Sequence, residues 1–338
     1  MVYIIAEIGC NHNGSVELAK KMVDVAKECG VDAVKFQTFK ADELISKYAP
    51  KAEYQKVTTG THDSQLEMTK KLELSFDEYL ELRDYSQSKG LDVFSTPFDQ
   101  VSLDFLISTD MPIYKIPSGE ITNLPYLEKI GQQKKKVLLS TGMANLEEIH
   151  QAVEILKENG TNDITILHCT TEYPAPHEAL NISVISTLKK EFPDLAIGYS
   201  DHSIGSEAAV AAVALGAVLV EKHFTLDRDM EGPDHKASAN PEMLKALVDS
   251  IRIIEKALGD KDRLVDPVEE KNKIIARKSI VARLPIKKGQ IFTEDNITVK
   301  RPGSGISPMH WYQVLGQEAQ TDFDADQVIV DSRFENQK

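Results

Sequence analysis

Along the first 260 residues, short apolar runs rich in Val, Ile and Leu alternate with longer stretches in which apolar positions return every three or four residues. Runs of the first kind read as strands buried on both faces, and stretches of the second kind as amphipathic helices. Strands are expected at Tyr3–Gly9, Asp32–Phe39, Asp92–Phe98, Ile113–Gly119, Lys136–Gly142, Asp163–Cys169, Ala196–His202 and Ala217–Phe224. Eight buried strands separated by helices predict an α/β fold, a (β/α)8 TIM barrel. A doubly wound open sheet is the alternative, but it has no reason to stop at eight units.

The helices carry start and stop signals. Ser15 precedes a stretch with Leu18, Met22 and Ala26 on one face and Gly30 as a stop. Ser75 and Asn145 each stand three residues before a glutamate, Glu78 and Glu148, which is the capping-box spacing. Asn240-Pro241 opens the last barrel helix and Gly259 closes it. The connection Lys40 to Glu73, with Ala52-Glu53-Tyr54-Gln55 and Ser64-Gln65-Leu66-Glu67, is too long for an ordinary turn and reads as a lid or binding loop on the catalytic face.

The character changes after Gly259. Residues 261–277 are charged, contain Pro267 and read as a linker between a catalytic domain, 1–260, and a small β-rich domain, 278–338. Short strand patterns at Lys278–Ala282 and Ile297–Lys300 support the latter, and so small a domain should pack against something.

Composition narrows the partners. A net charge of -14 on 338 residues opposes binding to a nucleic-acid backbone or an anionic membrane surface, so an anionic substrate needs a local cluster of positive charge. Three cysteines, Cys10, Cys29 and Cys169, without metal-ligand spacing indicate a reducing compartment and no disulfide framework. With no basic leader pattern and no run long enough to span a bilayer, the expected location is the cytoplasm.

Candidate chemistry gathers at the strand ends, which a barrel directs to one mouth. His202 and His223 end consecutive strands with the acids Asp201, Glu221 and Asp234 nearby, an arrangement able to hold a divalent metal, although a single histidine there is more commonly structural. Lys35 and Lys115, with Ser118, Ser140 and Ser200, suggest an anion pocket for which phosphate is the usual guest. Glu7 and Glu120 are candidates for proton transfer, or alternatively salt-bridge partners of the lysines. Ser95, Thr96, Thr141, His168, Thr170 and Thr171 also fall at strand ends, whereas the Arg301-Pro302-Gly303 turn acts only if the small domain covers a barrel mouth.

These residues lie in stretches, AEIGCNHNGS, AVKFQTFKAD, DVFSTPF, YKIPSGE, LSTGM, LHCTTEYPAP, GYSDHS, EKHFTLD, GPDHKAS and KRPGSGISPM, that resemble the sialic acid synthases in family order over essentially the whole chain. The resemblance implies a TIM barrel followed by an antifreeze-like (SAF) domain, and condensation of phosphoenolpyruvate with N-acetylmannosamine to N-acetylneuraminate and phosphate by C–O cleavage. It places the metal, usually Mn2+ with Mg2+ or Co2+ as alternatives, on His202 and His223. It assigns phosphoenolpyruvate to Lys35, Thr96, Lys115, Ser118, Ser140 and Ser200, and the sugar to Gln37, Tyr173, Asp234 and, from the partner subunit of a domain-swapped homodimer, Arg301. Two positions depart from the pattern: Thr171 stands where some members carry asparagine, and Ser304 replaces an asparagine in the Arg301 turn. Legionaminate and pseudaminate synthases share most of these motifs. A Schiff-base aldolase using Lys35 or Lys115 and a non-catalytic carbohydrate-binding protein are the rival readings.

Overall fold

The computed structural model describes residues 1–49, 64–260 and 262–334. It divides into two compact units, Met1–Gly259 and Asp260–Lys338. In the first, eight parallel strands run β1 (Tyr3–Gly9), β2 (Ala33–Thr38), β3 (Asp92–Pro97), β4 (Ile113–Ile116), β5 (Lys136–Ser140), β6 (Ile164–Cys169), β7 (Ala196–Asp201) and β8 (Leu219–His223). Their hydrogen-bonded order is β3-β2-β1-β8-β7-β6-β5-β4, and the two end strands pack against each other to close the cylinder. The expected TIM barrel is therefore the observed fold.

Burial on both faces explains why these strands read as nearly continuous apolar runs. Ile4, Ile5, Phe36, Phe94, Ile166 and Val220 are all wholly buried, some inside the cylinder and some beneath the helices. The helix signals act as expected: Ser15 accepts from Leu18 N, and Gly30 ends the helix Val16–Cys29 with φ 87°, where a Cβ would be strained. Ser75 and Asn145 both close full capping boxes, and Asn240 caps the helix Pro241–Leu258.

The expected strand Ile113–Gly119 ends earlier, at Ile116, because Pro117 has no N–H to give the ladder and Ser118–Glu120 turns into a 3-10 segment. In the long connection after β2, the Ser64-Gln65-Leu66-Glu67 motif is the capped start of a helix, Gln65–Lys70. Ala52-Glu53-Tyr54-Gln55 lies outside the described residues. Cys10, Phe39 and Leu72, with Leu44 and Phe98 against them, form a small apolar cluster separate from the main core.

In the second unit, β9 (Ser279–Ala282) pairs antiparallel with β10 (Ile297–Lys300) over a core that includes Ile280, Phe292, Ile297 and Val314. The stretch expected as a linker contains a helix, Pro267–Ala276, started by Asp266 with a capping box to Glu269 and proline in the first turn. Its charge run masked the same start code used elsewhere in the chain. Arg301 is exposed and joined to Pro302 by a cis peptide bond. The turn is pinned by Ser279, whose Oγ donates to Pro302 O (2.6 Å) and accepts from Gly305 N (2.8 Å), with Gly303 N donating to Ile274 O (2.8 Å), so Ser304 is not what holds it. Among the described residues, no helix is long and apolar enough to cross a membrane.

Gly198 on β7 shows how tightly the cylinder is filled. A Cβ there would lie 2.6 Å from Leu167 Cδ2 and 2.9 Å from the backbone oxygen of Leu219. Gly198→Ala should cost about 1–3 kcal/mol through overpacking, read as a lower urea midpoint with an unchanged slope.

Candidate active site

Side chains on a strand alternate between the two faces, so only every second residue at a strand end enters the barrel mouth. Register places Glu7 beside Lys35 and His223, Gln37 beside Thr96, Cys169 beside Ser200, and Ser200 beside Glu221. These side chains, with Lys115, Ser118, Ser140, Thr171, Tyr173, His202 and Asp234, line a cavity of about 530 Å³. The residues between them face elsewhere. Ser95 Oγ bonds Thr38 Oγ1 (2.7 Å), Thr141 Oγ1 donates to Leu167 O (3.1 Å), and His168 Nε2 bonds Leu180 O (2.7 Å). The expectation that all strand-end polar residues converge is therefore corrected by the pleat.

A buried charge cluster forms the floor. Lys35 Nζ lies 2.5 Å from Glu7 Oε2 and 3.8 Å from Glu221 Oε2, and donates to Thr96 Oγ1 (3.1 Å). Lys115 Nζ and Ser200 Oγ both donate to Glu221 Oε1, at 2.8 and 3.1 Å, and Gln37 Nε2 donates to Glu7 Oε1 (3.0 Å). The two carboxyls are pushed in opposite directions. For Glu221 burial favours the neutral acid, but Lys115 and Lys35 overcome it and hold the pKa at about 2. For Glu7 burial dominates, helped by the Glu221 charge, and the pKa rises despite Lys35. For Lys115 burial opposes the charge, yet Glu221 outweighs it and raises the pKa. The floor thus sets two lysines against one firmly ionised carboxylate and one whose charge burial disfavours, which suits an anionic guest.

A hydroxyl cradle lies beside this floor. Gly142 N donates to Ser118 Oγ (3.0 Å), and a Cβ on Gly142 would fall 2.2 Å from Thr171 Oγ1 and 2.7 Å from Ser118 Oγ. Only glycine lets the backbone approach both hydroxyls. Ser140 Oγ and Glu221 Oε2 are buried without a hydrogen-bond partner, which marks polar atoms facing a ligand position rather than a satisfied core.

His202 and His223 face each other with ring centroids 5.4 Å apart, and the Tyr173 ring packs 4.2 Å from that of His202. His202 Nδ1 donates to Thr170 O (2.7 Å), which fixes the tautomer and leaves Nε2 as the lone-pair nitrogen. Burial works against the protonated form of His202, but Cys169, 3.7 Å from Nδ1, outweighs it and raises the pKa. His223 is held neutral, its pKa well below the usual value, by burial first and then by His202 and Lys35. Its Nδ1 is buried without a hydrogen-bond partner, and Asp234 Oδ2 lies 3.9 Å away. A neutral imidazole with an unpartnered nitrogen beside a carboxylate fits a divalent cation. Among the described residues no set of three or more His, Cys, Asp or Glu side chains forms a closed ligand cage, so such an ion would need oxygen ligands from water or substrate.

Two expected residues stand apart from this assembly. Glu120 does not line the cavity, because the 3-10 turn after Pro117 directs its carboxylate to Asn123 Nδ2 (2.5 Å). Arg301 belongs to the second unit. Conversely, Glu221 was legible only as a nearby acid, although its position two residues before His223 puts both on the same face of β8. Cys10 and Cys169 also line the cavity, with Cys10 Sγ donating to Asp234 Oδ2 (3.5 Å).

Residues 22–263 match the family model described as the NeuB family, and residues 277–335 match the SAF domain. The chain is 51% identical to an N,N'-diacetyllegionaminic acid synthase of Campylobacter jejuni, over 96% of this chain and 98% of that one. It is 42% identical to the Legionella pneumophila protein of the same name, over 97% and 93%. The crystal structure of an N-acetylneuraminic acid synthetase from Leptospira borgpetersenii in complex with citrate aligns with a TM-score of 0.72 at 36% identity, over 80% of this chain and 90% of that one.

The charge cluster sets an acid limit on stability. Because the folded Glu221 pKa lies below its ordinary 4.5, the stabilisation is complete above about 4.5 and is lost as pH falls towards about 2. Glu7, displaced upward, contributes with the opposite sign, removing stability as pH rises through its raised value. Glu221→Gln should flatten the acid slope and cost about 3–5 kcal/mol at neutral pH by stranding Lys115. Adding Lys115→Met should restore most of that loss, measured by denaturant unfolding across pH.

Proposed function

The chain belongs to the NeuB family of phosphoenolpyruvate-using nonulosonic acid synthases, and we propose that its acceptor is a six-carbon sugar bearing two acetamido groups, with N,N'-diacetyllegionaminic acid as product. The observation that carries this reading is the two-sided lining of the cavity. Against the charged floor stands an apolar wall, Phe39, Leu44, Ile45, Met68, Leu72 and Phe98, contributed by segments after β2 and β3. A 2,4-diacetamido-2,4,6-trideoxy hexose carries an acetamido and a methyl group where N-acetylmannosamine carries a hydroxyl and a hydroxymethyl, so it has more apolar surface to bury on such a wall, at about 0.8 kcal/mol per CH₂-sized group. The names of the Campylobacter and Legionella relatives point the same way.

In this reading Lys35 and Lys115 bind the phosphate and carboxylate of phosphoenolpyruvate, with Thr96, Ser118, Ser140, Thr171 and Ser200 as further polar contacts. Gln37, Tyr173 and Asp234 contact the sugar. His202 and His223, with water or substrate oxygens, would hold a divalent cation such as Mn2+, which would supply Lewis-acid polarisation of the open-chain sugar's aldehyde. C3 of phosphoenolpyruvate forms the new bond to that aldehyde carbon. Water adds at C2 and gives a proton to Glu7, preferred over Glu120 because Glu7 lines the cavity beside Lys35 and burial, by raising its pKa, makes it the stronger base. That proton passes to the alkoxide left from the aldehyde oxygen, and as the C2–O bond to phosphate breaks the C2 hydroxyl becomes the ketone, its proton leaving with the released phosphate. Arg301, exposed on the second unit, is assigned to the sugar in the cavity of a partner subunit in a homodimer. For Lys115 the Schiff-base alternative is disfavoured, since Glu221 raises its pKa whereas a nucleophilic lysine needs it lowered, and Lys35 Nζ is engaged by Glu7 and Thr96.

Phosphate release from phosphoenolpyruvate should require a divalent cation, stop with chelator, and proceed with at least tenfold higher kcat/KM for the diacetamido sugar than for N-acetylmannosamine. Preference for N-acetylmannosamine would overturn the acceptor assignment. Label in the bridging oxygen should emerge in phosphate, and borohydride should trap no adduct. Replacing both His202 and His223 by alanine should abolish turnover.

A further inference from the structure

Behind the two histidines lies a second ion pair that does not line the cavity. Asp201 and Lys222 are register partners on β7 and β8 and sit immediately before His202 and His223. By the two-residue alternation they face the opposite side of the ladder from the imidazoles. Asp201 is 0% and Lys222 1% exposed, and their charged atoms are 2.7 Å apart.

The bonding around this pair brackets His202. Asp201 Oδ1 accepts from Ser203 N (2.9 Å), Ser203 Oγ (2.7 Å) and Tyr199 OH (3.3 Å), while Lys222 Nζ donates to Ser203 O. Ser203 is thus tied both to the Asp201 carboxylate and to the Lys222 ammonium that pairs with it, and the backbone between 201 and 203 has little freedom. Lys222 transmits the constraint to β8, where the next residue is His223, itself registered against Glu7 of β1. Sheet hydrogen bonds alone would hold the ladder without charge here, and burying two charges is costly unless geometry is well satisfied.

We infer that Asp201 and Lys222 are positioning residues, a clamp that sets the separation and aim of the His202 and His223 imidazoles for one cation. The inference rests on the metal reading of those histidines. Groups that orient metal ligands typically change metal affinity by about 10–100-fold when removed. The clamp should therefore act on cation affinity and leave phosphoenolpyruvate binding, most of whose contacts (Lys35, Thr96, Lys115, Ser118 and Ser140) lie on or directly after β2 to β5, largely unchanged.

The test is a Mn2+ titration followed by electron paramagnetic resonance, on the full chain without substrate and well below each variant's melting temperature. Wild type should bind one Mn2+ and His202→Ala none. The neutral pair Asp201→Asn with Lys222→Met, in which neither charge is left alone, should bind at least tenfold more weakly with a near-unchanged KM for phosphoenolpyruvate. Ser203→Ala, which removes a single bond to Asp201, should weaken Mn2+ about threefold even if the double variant fails to fold, and Lys222→Arg should recover most of the affinity. If wild type binds no Mn2+, the metal reading and the clamp fall together. If wild type binds and His202→Ala does not, but Ser203→Ala and any folded double variant match wild type within twofold, the metal reading stands and the clamp is overturned.

Discussion

The parallel ladder, closed on itself, imposes one rule on every strand end: neighbouring residues face opposite sides of the sheet. Ser200 and His202 reach the mouth while Asp201 between them does not, and Glu221 and His223 do so on either side of Lys222. A one-residue slip of β7 or β8 would exchange the cavity's imidazoles for a salt bridge and bury the imidazoles among helices. The close contacts at Gly198, which admit no side chain between β6 and β8, resist such a slip. The chemistry therefore depends on strand register before it depends on any pair of side chains.

Within that frame the charges are arranged to be incomplete. Glu221 satisfies Lys115 and Ser200 through one oxygen and leaves the other without a hydrogen bond, and Ser140 Oγ and His223 Nδ1 are equally unsatisfied. A core evolved only for stability would pair or remove such atoms, since each unsatisfied buried group costs about 1–3 kcal/mol. Their concentration around a single cavity is the mark of a surface shaped for a charged guest. The contrast with Asp201 and Lys222 is instructive, because there both charged groups are satisfied by the protein itself.

Much of this was legible in the amino-acid order. The eight strands and the capped helices follow from periodicity and from start and stop residues, because local chemistry and the final fold agree there. Lys35 and Lys115 stood out because lysine is seldom buried without a partner, and His202 and His223 because they end consecutive strands. Glu221 was underrated because a lone acid beside two histidines carries no spacing signal; what singles it out is contact with Lys115, over a hundred positions away in the chain. Glu120 was overrated for the complementary reason, since a strand read as continuing to Gly119 would have aimed it differently from the 3-10 turn that follows Pro117. The helix Pro267–Ala276 was hidden by its charge, although Asp266 and Glu269 spelled out its start.

The division of the cavity lining separates what the fold conserves physically from what it leaves free to vary. The floor is built on strand ends, where backbone hydrogen bonds hold Lys35, Lys115, Ser140 and Ser200 to their places. The apolar wall is built on connections, from Phe39 and the short helices that follow β2, and from Phe98 after β3. Rigid elements suit groups that must meet a reacting centre within fractions of an ångström, and connections tolerate exchange of side chains at little cost to the fold. A barrel so organised can keep one reaction of phosphoenolpyruvate while its wall is reshaped for sugars with different substituents. Relatives named for different acids can then share one floor and differ in the wall.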